Sequence, residues 1–106
     1  MRRVELSGER PVTAPGSVNA VVRRLAADAH VVVIELGPGG VVARHPAGLE
    51  QLFAVLQGSG WVSGDDGERE QIRAGEAVVW APGEEHESGS DEGMTVLAVE
   101  ADSLGV

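Results

Sequence analysis

Short aliphatic runs rich in valine, set among glycine-containing turns, constrain this chain more than any other feature. "VVVIEL", "FAVL", "AVVW" and "TVLAV" recur along it, with "GPGG", "GSG", "GDDGE" and "GSDEG" between or beside them. β-Branched side chains lose rotamer freedom in a helix and fit a pleated surface well. Fifteen glycines and five prolines supply turns in number. Aromatics make up only 3% of the chain, so the core must be built from Val, Leu, Ile and Ala. Many short strands punctuated by such turns point to an all-β domain, a small barrel or sandwich.

A chain of 106 residues has room for one such domain, here taken as residues 1–106. At 42% hydrophobic it can build a core. The formal net charge of −9 sets it against nucleic acid and anionic membrane as partners, since both repel an acidic surface. The same charge is accounted for by solubility alone. Without cysteine there are no disulfides and no thiolate metal sites. No apolar run is long enough to span a bilayer, and "MRRVELSGERP" has no hydrophobic segment behind its arginines. A soluble, cytoplasmic protein is the expectation.

Along the chain, residues 1–17 form an arm. "VNAVVRR" after Ser17 is compatible with a helix start or a strand, and we take a strand over Asn19–Leu25, with "AADA" turning into the next strand at Ala29–Leu36. "GPGG" (Gly37–Gly40) reads as a turn, and "PAGLE" as a loop after "VVARH". "QLFAVLQG" reads as a strand ending at Gly58, continued into "GWVS". Asp66-Gly67 is the hairpin turn supplying positive φ. "REQIR" pairs back, "GEAVVWAPGEEH" is a strand running into a Pro-Gly loop, "GSDEG" is a turn and "MTVLAVE" the last strand. Residues 101–106 form a short tail.

Two segments carry spacing that means more than turns. Gly39 is followed by five residues and His45, then Ala47, then Gln51 after three more, then Gly58 after a further six. Gly75 is followed by five residues, Ala81-Pro82-Gly83, two residues, His86, three residues and Ser90. This resembles the two motifs of the cupins: Gly, five residues, His-x-His, three or four residues, Glu, six residues, Gly; and Gly, five residues, Pro-x-Gly, two residues, His, three residues, Asn. The motifs occupy 39–58 and 75–90, with sixteen residues between them. The resemblance implies a cupin-type double-stranded β-helix, a jelly-roll barrel of six to eight strands, often dimeric, with ligands pointing inward.

Metal-binding cupins converge four side chains on one ion. Carried over position by position, this chain keeps His45 and His86, has Ala47 where the second His belongs and Gln51 where the Glu belongs. The ligand set implied is His45, Gln51 and His86, for a divalent metal such as zinc, iron, nickel or manganese. Alanine has no donor, and an amide oxygen is a weaker donor than a carboxylate, so this set is short of a ligand. Glu50 should face the other side of the strand by alternation unless a bulge intervenes. Glu84, Glu85 and Glu87 read as a solvated acidic rim around an inward His86. His30 reads as a surface residue at a strand start, and Arg44 should point outward.

Several readings follow. With a metal, the resemblance implies dioxygenase, decarboxylase, isomerase or lyase chemistry on a small organic acid or similar compound. Without one, His45 and His86 are candidate catalytic residues, one as base and one as acid, because burial keeps imidazole neutral; that suits an isomerase, epimerase or cyclase. Phe53, Trp61 and Trp80 are candidates to line the pocket, though filling the core accounts for them as well. A non-catalytic sensor with a vestigial, metal-free site, or a structural dimer, stays open. The partners expected are a small-molecule ligand and a second copy of the chain, the segment Val4–Val12 adding a strand to a partner's sheet edge.

Overall fold

The computed structural model describes residues 10–11, 14–24, 29–102 and 104, and every regular element among them is a strand. In chain order these are β1 (Arg10–Pro11), β2 (Val18–Arg24), β3 (His30–Pro46), β4 (Glu50–Ser63), β5 (Glu70–Arg73), β6 (Ala77–Trp80), β7 (Glu85–Ser90) and β8 (Met94–Ala101). The strand read at Asn19–Leu25 is present as β2, while Leu25 and most of "AADA" lie outside the described residues. Among the described residues of the arm, Arg10–Pro11 form β1, which pairs with β2 of its own chain, Arg10 opposite Val22 and Pro11 opposite Val21. The rest of Val4–Val12 lies outside the described residues.

The long strands β3 and β4 organise the molecule. The first half of β3 pairs with β8 from His30 to Leu36, and the second half pairs with β7 from Gly40 to Pro46. β4 does the same, pairing with β8 from Glu50 to Gly58 and with β7 from Trp61 to Ser63. The pairing therefore closes a circuit, β3–β8–β4–β7, which is the jelly-roll arrangement. Side chains alternate across it. Met94, Val96 and Ala98 of β8 are buried, as are Ile34, Leu36 and Val42 of β3 and Phe53, Val55 and Val62 of β4. β5 and β6 pair with the remaining edge of β4.

Three turn expectations are corrected. "GPGG" does not end a strand. Residues 37–40 run inside β3, and the register with β2 slips there, Val18 facing Val41 while Ala20 faces Leu36. Gly39 at φ 73 and Asn19 at φ 49 absorb the slip, so the segment is a bulge that lets one strand serve both halves of the circuit. Gly58, at φ 80, likewise lies inside β4 and not at its end. In the "GDDG" turn only Gly67 has positive φ, at 72°, its amide donating to the Gly64 carbonyl at 3.0 Å. Asp66 keeps an ordinary backbone, the pattern of a longer hairpin loop and not of a two-residue one.

Candidate functional site

A second bulge builds the site. On β3 and β7, Val42 faces Ser88 and His45 faces His86, so three steps along β3 match two along β7. An unbroken ladder would set Arg44 against His86. The extra residue puts His45 there instead, since one step of register exchanges the faces of a strand. Arg44 is turned outward as expected, and its guanidinium donates to the carbonyls of Gly64 at 3.1 Å and Asp65 at 3.0 Å.

The two imidazoles are in contact, centroids 4.3 Å apart and planes at 57°. His45 Nδ1 lies 2.7 Å from the Ala43 carbonyl, and His86 Nδ1 lies 3.2 Å from the Glu84 carbonyl. A carbonyl only accepts, so each neutral ring carries its proton on Nδ1 and presents a bare lone pair at Nε2. His45 is half-buried; His86 is 3% exposed, and its Nε2 is buried without a partner. Burial pushes His86 below the ordinary histidine range, and neighbouring His45 pushes it the same way. The Glu84 carbonyl and the carboxylates of Glu84 and Glu85 oppose this.

Aromatic rings extend the pair. Trp80 stacks on His86 at 4.3 Å and 24°, and Phe53 meets Trp80 edge-on at 5.2 Å. Gln51 is buried on β4 directly opposite Trp80. The structure thus gathers His45, His86, Trp80 and Phe53 into one ring cluster, with Gln51 opposite Trp80. It does not bring Trp61 there. Trp61 faces Gly89 across β4 and β7, and Arg69 caps its ring at 3.7 Å from the centroid. Val62 and Ser88, the next rung, point inward instead. Ala47 is buried, and its backbone is clamped to the turn before β7, donating to the Glu84 carbonyl at 3.0 Å and accepting from the Gly83 amide at 2.7 Å. The Glu84 carbonyl therefore receives both Ala47 and His86. Glu50 faces away from the cluster and accepts the Leu104 amide at 3.3 Å. Glu84, Glu85 and Glu87 are half-buried, so they are not the fully solvated rim expected. Ser90, in the Asn position, donates to the Ser59 carbonyl at 2.6 Å and accepts from Gly93 at 2.8 Å, which clips the final turn.

With this geometry in hand, the chain can be placed among known proteins. A family model described as "Cupin domain" matches residues 32–100. The chain belongs to the cupin family. A curated relative of this cupin, the (R)-mandelonitrile lyase of Granulicella tundricola, is 37% identical over 65 residues, which are 59% of this chain and 50% of the relative. The match thus spans half the relative's length. Among solved structures, the polyketide cyclase RemF from Streptomyces resistomycificus superposes with a TM-score of 0.80 at 27% identity, covering 97% of this chain and 80% of that one. A predicted oxalate decarboxylase from Thermotoga maritima gives 0.76 at 22% identity, covering 87% and 88%; at that identity it speaks for the fold.

Does this cupin's donor set fit a metal? Two imidazoles whose Nδ1–H groups are held by carbonyls, with one Nε2 orphaned, match the way ligating histidines are held. The third donor is missing. Ala47 offers none, Gln51 offers a neutral amide, and among the described residues no three His, Cys, Asp or Glu side chains converge. Two neutral imidazoles and an amide fall short of the three strong ligands a resident ion needs. The residues present do not fit a firmly held divalent ion.

The buried His86 has a thermodynamic signature. Its folded pKa lies below the unfolded value of about 6.5, so below that pH the unfolded chain binds more protons and stability falls. The loss begins near pH 6.5 and continues down to the folded pKa. His86→Phe should remove that part of the slope, while keeping ring packing on Trp80. Urea melts of both proteins from pH 5 to 8 measure this; parallel slopes would show that His86 is not desolvated.

Proposed function

We propose that this cupin transfers protons on a small neutral hydroxy or carbonyl compound, cleaving it as a lyase does, without a resident metal. The observation carrying this is the contact pair His45–His86 with bare Nε2 lone pairs. His45, half-buried, is the ring a substrate meets. Its Nε2 takes the proton of a substrate hydroxyl. The adjacent C–C bond breaks as the carbonyl forms, and the same proton passes to the departing carbon. His86 stays neutral beside it and sets no positive charge against the protonated His45. Gln51 orients the substrate oxygen, and Phe53 and Trp80 give the site an apolar wall. The mandelonitrile lyase relative supports a cyanohydrin as the first substrate to try.

Mandelonitrile cleavage, followed by benzaldehyde absorbance, is the test. Chelator-dialysed protein should turn over, and His45→Ala should lower kcat by about 100-fold or more. Turnover that vanishes on chelation and returns with one added ion would overturn the metal-independent mechanism. Complete burial of His86 Nε2 favours a second reading, a ligand-binding module that performs no reaction. A cyanohydrin that raises the melting temperature without being cleaved would select it.

A further inference from the structure

We propose that Asp65 is a positioning residue for His86, acting through one peptide group, and that Arg44 holds Asp65 in place. This deepens the proton-transfer reading and rests on it. The β4–β7 ladder ends where Ser63 faces Glu87. Two residues further along each strand, Asp65 Oδ1 accepts the Glu85 amide at 2.7 Å. A side-chain oxygen thus takes over where the ladder stops. The other end of that peptide group is the Glu84 carbonyl, which accepts His86 Nδ1–H at 3.2 Å. A peptide group is planar and stiff, so fixing its N–H fixes the direction of its C=O. A carboxylate on the N–H also makes the carbonyl a better acceptor, since hydrogen bonds in series polarise one another. The Ala47 amide shares the Glu84 carbonyl at 3.0 Å, leaving its second lone pair for His86.

The β3 side supports this rung weakly. Beyond the bulge, β3 and β7 meet in two rungs, His45–His86 and Pro46–Glu85, and proline has no N–H to donate. Asp65 also differs from its neighbour. Asp66 Oδ1 accepts the Glu68 amide within its own turn at 2.9 Å, whereas Asp65 reaches across 20 residues of sequence. Arg44 completes the arrangement. It precedes His45, and its guanidinium donates to the carbonyls of Gly64 at 3.1 Å and of Asp65 itself at 3.0 Å. The loop after β4 is thereby tied to the residue before each histidine, Arg44 and Glu85.

Arg44 and Asp65 are both exposed, and substitutions at such positions ordinarily change stability little. Their effect falls on the ring. Released from the Glu84 carbonyl, neutral His86 can carry its proton on Nε2, and it then presents a donor to its surroundings where it now presents a lone pair. Small misplacements of a preorganised group slow a reaction sharply.

Imidazole nitrogen NMR at about pH 8, where histidine is neutral, reads the tautomer. The His86 signals are assigned by their loss in His86→Phe. In the natural chain His86 Nδ1 should resonate as a protonated nitrogen and Nε2 as a bare one. In Asp65→Ala these two signals should move toward each other, while those of His45, held by the Ala43 carbonyl, stay apart. Asp65→Asn keeps an oxygen acceptor and should restore most of the separation. Arg44→Met should move the His86 signals in the same direction as Asp65→Ala. Asp65→Ala should lower kcat about tenfold with KM little changed, and melt within about 5 °C of the natural chain. Unchanged His86 signals in Asp65→Ala would overturn the proposal, as would Asp65→Asn behaving like Asp65→Ala. The ring signals need no turnover. A natural chain that cleaves no cyanohydrin yet shows these shifts would uphold the link from Asp65 to His86 and sink the proton-transfer reading alone.

Discussion

Gly58→Ala is expected to destabilise the protein by about 3 kcal/mol or more. Gly58 sits in β4 at φ 80, a conformation that disfavours any side chain. An added Cβ would come within 2.3 Å of the Gly93 carbonyl oxygen and 3.2 Å of Met94 Cα. These are backbone atoms at the start of β8, opposite Gly58 in the ladder, so relief requires moving the strand that carries Val96. A melting temperature lower by roughly 10 °C or more follows for a domain of this size. Gly67→Ala is the control. It shares the strained φ, at 72°, but a Cβ there meets nothing within 4 Å, so it should cost only about 1 kcal/mol. Equal losses in the two variants, measured by urea melts, would show that the Gly93 contact carries no weight.

The second large effect concerns metal affinity. Ala47→His/Gln51→Glu restores an imidazole and a carboxylate at the two positions where the donor set falls short. Ala47 lies two residues after His45, buried, with its backbone bonded to the turn that leads into His86. The larger side chain should cost about 1–3 kcal/mol without metal. Zinc should then bind at least about 100-fold tighter than to the natural chain, raising the melting temperature until a chelator is added. Titration of both proteins with zinc decides it. A folded double variant that binds zinc no better than the natural chain would mean that position 47 does not face the histidine pair.

Much of this was legible in the sequence because it rests on local rules. β-Branched runs and glycine breaks mark β3, β4, β6 and β8. The resemblance to the two cupin motifs implies one pocket for His45 and His86, and the structure sets the two opposite each other on β3 and β7. The bulge between Val42 and His45 was not legible. No residue there demands it, and it arises from fitting β3 to two partners. The same holds for "GPGG": glycine signals a change of direction but not whether hydrogen bonding stops. Trp61 and Trp80 were indistinguishable, since facing is set by register with β7 and β6. The Glu84 carbonyl, which orients His86, is a main-chain group that every residue carries, so no residue type advertises it.

The closed circuit has a consequence for how the protein is made. β8 fills the space between β3 and β4 and supplies Val96 and Ala98 to the core, yet the ribosome delivers it after both. Until it emerges, β3 and β4 present unpaired edges and apolar inner faces to the cell. Such edges are the ones that recruit other chains. The nascent protein is therefore most exposed to aggregation in the interval before β8 is released, and a translational pause there would lengthen that exposure.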